Sequence, residues 1–149
     1  MNTARYKVSL RIEHPFLDLS FVPTSLGMQP VRIWKIGDER VTPTGSHLGG
    51  RRDYSYCMVD MGGDCNAALE LQIRQAISKI KSHRDTLDQV TTTGGTVGFF
   101  IGWFSHGDSG IRIQIETLRE LCSLNIQLDI NVYCCEAELD LQNGIDDNS

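Results

Sequence analysis

Residues 96–104 read TVGFFIGWF, a stretch without a charge in which, after Thr96, every position on either alternate side is apolar or glycine. A strand presents two such sides only when both are covered, so the stretch predicts a strand inside a sheet. Its apolar part, Val97–Phe104, is the longest in the chain and is interrupted by Gly98 and Gly102. It falls far short of the ~20 residues that a membrane-spanning helix needs. A soluble protein with no membrane partner is expected.

Working outward from this strand, Thr91-Thr92-Thr93-Gly94-Gly95 separates it from a helical pattern upstream. There Leu69, Ile73, Ala76, Ile77 and Ile80 recur at steps of three and four, an amphipathic helix with Asp64 or Asn66 as its cap. Gln72, Gln75, Lys79 and Lys81 are assigned to its solvated side. Tyr54–Met61, ended by Gly62-Gly63, reads as a strand. Residues 37–52, GDERVTPTGSHLGGRR, are rich in turn formers and read as a long exposed loop. Val31–Ile36 reads as a strand carrying Trp34. Ser20 can cap a short helix through Leu26, with Pro23 in its first turn and Gly27 closing it. Tyr6, Val8, Leu10 and Ile12 alternate with polar residues in a strand that His14-Pro15 ends.

Downstream, Ser105–Gly110 (SHGDSG) is a turn. Ile115, Leu118, Leu121 and Cys122 predict a short helix ending near Asn125, and Ile126, Leu128, Ile130 and Val132 alternate with polar residues in a last strand. The order predicts an α+β domain: a ferredoxin-like β-α-β-β-α-β core with an added helix and strand, helices on one face of a mostly antiparallel sheet.

The chain has 149 residues, 40% hydrophobic and 22% charged, enough to form one domain that buries about 70% of its unfolded surface. Residues 1–135 read as that domain and 136–149 as an acidic, mobile tail. The tail, EAELDLQNGIDDNS, holds five acids (Glu136, Glu138, Asp140, Asp146, Asp147) and no base; removing them from the 19 acids leaves 14, equal to the 14 Lys and Arg. The body is thus near neutral, and no basic field for nucleic acid is expected. The start, MNTARYKVSLRIEH, shows no basic region followed by an apolar run, so no secretion signal is read. Five cysteines without repeating spacing suit a reducing, cytoplasmic compartment better than a disulfide framework. Cys134 and Cys135 stand side by side without the further ligands a soft-metal site needs.

No motif assigns chemistry. Residues 107–110 spell GDSG after His106, as in the nucleophile segment of chymotrypsin-like proteases, but a chain this small with three predicted helices cannot build the two barrels of that triad. TTTGGT at 91–96 lacks the lysine of a phosphate-binding loop. His14, His47, His83 and His106 have no partner at helical spacing, so no metal, cofactor or catalytic residue is assigned. His14 and His106, at strand ends, are the best pair for a site assembled in space. Asp129 lies on the polar side of the last strand, Arg11 and Glu13 on that of the first. Arg51-Arg52 is a small basic spot in the 37–52 loop. Trp34 and Trp103 read as core, and the aromatics fall in core-like strands instead of on a basic sheet face. The candidate binding residues are His14, Trp34, Arg51, Arg52, His106 and Asp129.

The run HPFLDLSFVPTSLGMQPVRIWKIGD, residues 14–38, with Leu26, Gly27, Pro30, Trp34, Gly37 and Asp38, resembles the opening of the bacterial domain of unknown function 4279 family. The short helix, turn and alternating strand from Ile115 to Tyr133 are similar to its end. The likeness covers about residues 6–133 and departs from the family where its frequent Trp is replaced in the strand beginning Tyr54-Ser55-Tyr56. The resemblance implies an α+β fold and a bacterial cytoplasmic setting, and no activity. Two readings follow. One is a non-enzymatic protein-interaction domain, an immunity or regulatory factor, using the sheet face or the 37–52 loop. The other is a small-ligand or enzymatic domain with a pocket where His14, His106 and Asp129 converge. A homodimer through sheet edges is compatible with either.

Overall fold

The computed structural model describes residues 4–134. In chain order the elements are β1 (Arg5–His14), α1 (Phe21–Leu26), β2 (Arg32–Trp34), β3 (Glu39–Val41), β4 (His47–Arg51), β5 (Ser55–Asp60), α2 (Leu69–Ile80), a single 3₁₀ turn (Lys81–His83), α3 (Arg84–Thr91), β6 (Thr96–Ser105), α4 (Ile115–Ser123) and β7 (Ile126–Cys134). The fold is α+β, with a five-stranded mixed sheet in the order β2-β5-β1-β6-β7 and a separate β3-β4 hairpin. Every pairing in the large sheet is antiparallel except β6 with β7, whose connection runs through α4.

The uncharged stretch at 96–104 lies inside the sheet, between β1 and β7. On one side of the sheet Val8, Leu10, Ile12, Cys57, Val59, Val97, Phe99 and Ile101 are almost wholly buried. They form one apolar cluster with Val22 and Leu26 of α1, Ile73 and Ile77 of α2, Leu87 and Val90 of α3, and Leu121 of α4. Each large apolar side chain so buried contributes about 1.5–3 kcal/mol. All four helices therefore cover the same side, and the sheet's other side carries none of this cluster.

Several local expectations change. Residues 37–52 are not a loop but contain β3 and β4, whose pairing slips between Glu39↔Arg51 and Val41↔His47. Gly49 and Gly50, at φ 80° and 72°, supply the irregular backbone that this slip requires. Short irregular strands carry no alternation to read, which is why the sequence reads as loop. Asp64 and Asn66 form a turn, Asp64 accepting from Asn66 N–H at 2.9 Å, and the position before α2 is Ala68. Gln72, assigned to solvent, is buried and donates to the Ala67 carbonyl at 3.0 Å. Ser20 holds the cap position of α1 without a side-chain bond, whereas Gly27 closes that helix at φ 67° as expected.

The helical stretch before Thr91 breaks at the 3₁₀ turn into α2 and α3. In α4 the expected apolar stripe is only half used: Leu121 is buried, but Ile115 and Leu118 are exposed, and Thr117 is buried instead, its hydroxyl donating to Glu70. The last strand is likewise covered only at its start, since Ile126 is buried while Ile130 and Val132 are exposed. Cys135 and the acidic segment 136–149 lie outside the described residues. No helix among the described residues is long and apolar enough to cross a membrane.

Candidate functional site

Because side chains alternate along a strand, the residues between the buried ones stand together on the helix-free side. β1 contributes Lys7, Ser9, Arg11 and Glu13 there; its registers place Arg11 beside Met58 and Gly98, and Ser9 beside Asp60 and Phe100. β7 adds Asp129 opposite Phe100 and Tyr133 opposite Phe104, and β2 adds Trp34 opposite Tyr56. Gly98 and Gly102 leave room on this face. A Cβ at Gly98 would lie 2.9 Å from Gln127 Cγ, and one at Gly102 3.2 Å from the Phe104 ring.

Across four strands these residues form a ladder of cations and rings. The Arg52 guanidinium sits 3.7 Å from the Trp34 ring centroid, with Arg32 at 4.9 Å. Trp34 stacks on Tyr56 at 4.3 Å and 13°. Arg11 then lies 5.8 Å from the Tyr56 ring and 3.9 Å from that of Phe100. Each such cation–ring contact is worth about 0.5–1 kcal/mol at an exposed site and more when desolvated.

The ladder is held in place by hydrogen bonds. Trp34 Nε1 donates to the Tyr54 carbonyl at 2.9 Å, and Arg52 Nη2 to the Val41 carbonyl at 3.2 Å. The Arg52 backbone N–H donates to Asp38 O at 2.8 Å and its carbonyl accepts from Gly37 N–H at 2.8 Å, so the base of the hairpin is clamped against Trp34. Burial, with Arg32 and Arg40 nearby, lowers the Arg52 pKa from its ordinary value. Burial likewise raises that of Tyr56, which stays a neutral phenol. A cleft of about 470 Å³ opens between the hairpin and the sheet, lined by Lys7, Arg32, Trp34, Asp38, Arg52 and Asp60 among others.

The six candidate residues are not gathered in one place. Trp34 and Arg52 meet directly, on the open face instead of in the core. Arg51 is exposed in β4 and donates to the Gly37 carbonyl at 2.8 Å. Asp129 is on the open face beside Gly98. His14 is buried on the covered side: its Nδ1 accepts from the N–H groups of Phe16 (3.1 Å) and Leu17 (2.9 Å), and its Nε2 lies 2.8 Å from Thr93 Oγ1. It closes the end of β1, and desolvation lowers its pKa from 6.5. His106 is exposed just past the end of β6, whereas Glu13, next to His14, pairs with Thr96 at its start. His14 and His106 thus stand at opposite ends of the sheet, and Asp129 lies on the open side opposite Phe100, in the middle of β6.

The residues missed are Tyr56, Phe100, Arg11 and Arg32 as parts of one array. The reading of the aromatics as core holds for Tyr56, which is buried, and is corrected for Trp34 and Phe100, which are half-buried on a sheet face that carries both cations and carboxylates. The signal was present in the alternation: Phe100 shares its parity with Gly98 and Gly102, not with Phe99. Burial pushes the Cys57 thiol up to about 11, which keeps it protonated. Among the described residues, no group of three or more His, Cys, Asp or Glu side chains is arranged to hold a metal ion.

A small α+β domain whose helices cover one side of the sheet, and whose other side carries alternating cations and rings, is the class that this geometry defines. The family model described as Domain of unknown function (DUF4279) matches residues 4–135, and the chain belongs to that family. No curated protein and no solved structure matches the chain.

Proposed function

We propose that this chain is a non-enzymatic protein-interaction domain that recognises its partner across the open sheet face and the inner side of the β3-β4 hairpin. The observation that carries this reading is the ordered Arg52–Trp34–Tyr56–Arg11–Phe100 ladder. Arg, Trp and Tyr are the residues on which binding energy concentrates at protein interfaces, and here they are already fixed before a partner arrives, so little side-chain entropy is lost on binding. The cleft sets Asp38, Glu39 and Asp60 against Lys7, Arg32 and Arg52. Such mixed charge suits a folded protein surface better than a nucleic-acid backbone.

A second reading, a small-ligand site, is favoured by the cleft's volume of about 470 Å³, which lies within the range of small-molecule pockets. The thiols Cys57, Cys65, Cys122 and Cys134, none in a disulfide, support the cytoplasmic setting that the family likeness suggests for a bacterial protein. The order β2-β5-β1-β6, with alternate strand directions, supports describing the core as ferredoxin-like.

The test is capture of partners from host lysate at moderate salt by the wild-type chain, by Trp34→Ala and Arg52→Ala, and by Arg74→Ala on the exposed side of α2. The expected result is one stoichiometric protein, held by the wild type and Arg74→Ala and weakened about tenfold or more by the two face variants. Retention by both face variants overturns the reading. An empty capture, followed by a small molecule that raises the melting temperature of the wild type and not of Trp34→Ala, replaces it with the second.

A further inference from the structure

The two edges of the large sheet are finished differently. At one edge β2 has three residues, carries Arg32 and shares its cleft with the hairpin. At the other, β7 runs for nine residues and pairs with β6 one residue to one, without a slip. Its outer side has no strand partner among the described residues. Natural sheets blunt an open edge with lysine, proline, a bulge or a very short strand. β7, IQLDINVYC, has none of these, and Asp129 is its one charge.

The layer above this edge is unfinished as well. Ile126 is buried and Leu128 packs on the apolar cluster, but Ile130 and Val132, on the same side of the strand, are exposed. In α4 the buried Thr117 and Leu121 mark the side turned to the sheet. At roughly 100° per residue, Leu118, Cys122 and Ile115 follow round one flank of the helix and Glu116, Glu120 and Ser123 round the other. Because β6 and β7 are parallel, α4 runs back against both, and the right-handed sense of such a connection turns its apolar flank outward past β7. The exposed Ile115 and Leu118 thus continue the strip that Ile130 and Val132 begin.

We propose that β7 pairs antiparallel with β7 of a second copy of this chain, about a two-fold axis through Ile130, and joins the two five-stranded sheets edge to edge. The strand is its own complement in this register. On the covered side Ile130 meets the second copy's Ile130 and Val132 meets its Leu128; on the open side Asp129 meets its Asn131. A slip by one residue would set apolar against polar side chains. A register centred on Asp129 would set two carboxylates opposite each other. Only the register centred on Ile130 engages all nine residues.

Such an axis stands perpendicular to the sheet, so the helices of both copies share one side and the apolar flanks of two antiparallel α4 helices meet over the joint. The nine-residue strand makes an edge roughly 30 Å long and, with the helix layer, about 20 Å high, so about 600 Å² is covered on each copy. The total of about 1,200 Å² is the lower end for a specific interface, where a dissociation constant in the micromolar range is expected. The inference goes beyond the recognition reading and leaves that surface free: both open faces, each with its ladder, come to lie on the same side of the joined sheet.

Sedimentation equilibrium of the full chain from about 1 to 500 μM should show monomers and dimers exchanging in the micromolar range. A mixture of ¹³C-labelled and unlabelled chain should give contacts between the Val132 methyls of one copy and the Leu128 methyls of the other. Ile130→Lys enters the interface twice and sets two ammonium groups opposite each other, so it should raise the dissociation constant at least about a hundredfold. Leu118→Lys should raise it about tenfold. Leu48→Lys, equally exposed but in β4 near the opposite edge, should leave it unchanged.

A wild type that stays monomeric throughout this range overturns the proposal, and slow exchange of its β7 amides in that state would assign the edge to a segment of the same chain. A dimer that withstands both Ile130→Lys and Leu118→Lys, or whose contacts join other residues, overturns it too, as does growth beyond two copies. The labelled mixture needs no substitution, so a variant that loses its circular-dichroism spectrum leaves the test standing. None of these readouts involves a partner protein, so capture that depends on Trp34 and Arg52 stands or falls separately.

Discussion

The two faces of the sheet are made by the same strands and the same backbone ladder, yet they hold themselves together differently. β1 sends Val8, Leu10 and Ile12 to one side and Lys7, Ser9 and Arg11 to the other. On the covered side the apolar side chains meet those of four helices, and their contribution depends on the area removed from water and on filled volume. On the open side none of the described helices arrives, and order comes from geometry: rings stacked at 4.3 Å, guanidinium groups laid on them, and polar atoms fixed by carbonyls. Shape on the first side is stability. On the second it is a pre-ordered array of cations and rings, the surface that the proposed recognition would use, at little cost to the fold if removed.

Adjacent residues give the largest test of this difference. Phe99 is fully buried against the helices, and Phe100 is half-buried under Arg11. Phe99→Ala should lose about 3–5 kcal/mol of unfolding free energy, with the cavity left behind adding to the transfer loss. Phe100→Ala should lose about 1–2 kcal/mol, its partial burial plus one cation–ring contact. Urea denaturation with an unchanged slope measures both. Equal losses would break the comparison and make the open face part of the core.

His14 sharpens the comparison, because it is a polar group on the apolar side. Its Nδ1 accepts two backbone N–H groups, so the folded state needs a neutral ring. Desolvation lowers the folded pKa below the ordinary 6.5. The unfolded chain therefore binds the proton more readily. The stability His14 provides is complete above pH 6.5 and is lost as pH falls from there towards the depressed folded pKa. The slope from this one group is at most about 1.4 kcal/mol per pH unit.

Asp18, lowered chiefly by the Ser20 backbone N–H, loses its contribution only as pH falls below its ordinary 3.8, a separate window. His14→Ala should cost about 1–3 kcal/mol at neutral pH by orphaning two N–H groups. In His14→Asn the side-chain oxygen can accept the same N–H groups, so this variant should retain more of the stability and flatten the pH dependence near 6. A wild-type stability profile that is level through this range would contradict the role given to the ring.

How far the sequence leads follows the same division. The covered side was legible because burial writes a period into the chain: alternation in β1, steps of three and four in α2, and the uncharged run of β6. The limits of the cover were not legible. Ile115, Leu118, Ile130 and Val132 have the same pattern whether or not another element reaches them, and these are exposed. The hairpin escaped because its strands are short, glycine-rich and out of register. At the site, Trp34 and Arg52 were identifiable as residues but not as a pair, since eighteen positions separate them and only the clamped hairpin brings them together. The surroundings of His14 escape the sequence for a related reason: a histidine at a strand end looks the same whether it faces a cleft or two backbone N–H groups.

The smallest expected change in stability carries the sharpest statement about the open face. Arg52→Lys keeps the positive charge beside Trp34 and removes the planar group that lies 3.7 Å over the ring and donates to Val41 O. Lysine offers a compact, strongly hydrated ammonium that neither stacks nor forks. The fold should lose under about 1 kcal/mol, because the hairpin base is still held by the backbone bonds of Gly37, Asp38 and residue 52. Partner binding should nonetheless fall nearly as far as in Arg52→Ala, since a recognition surface built from stacked planes depends on the plane and not on the charge. Full binding by Arg52→Lys would mean that the face works through its charge alone. The ladder would then be packing that happens to be exposed, and the distinction between the two sides of the sheet would reduce to one of solvent access.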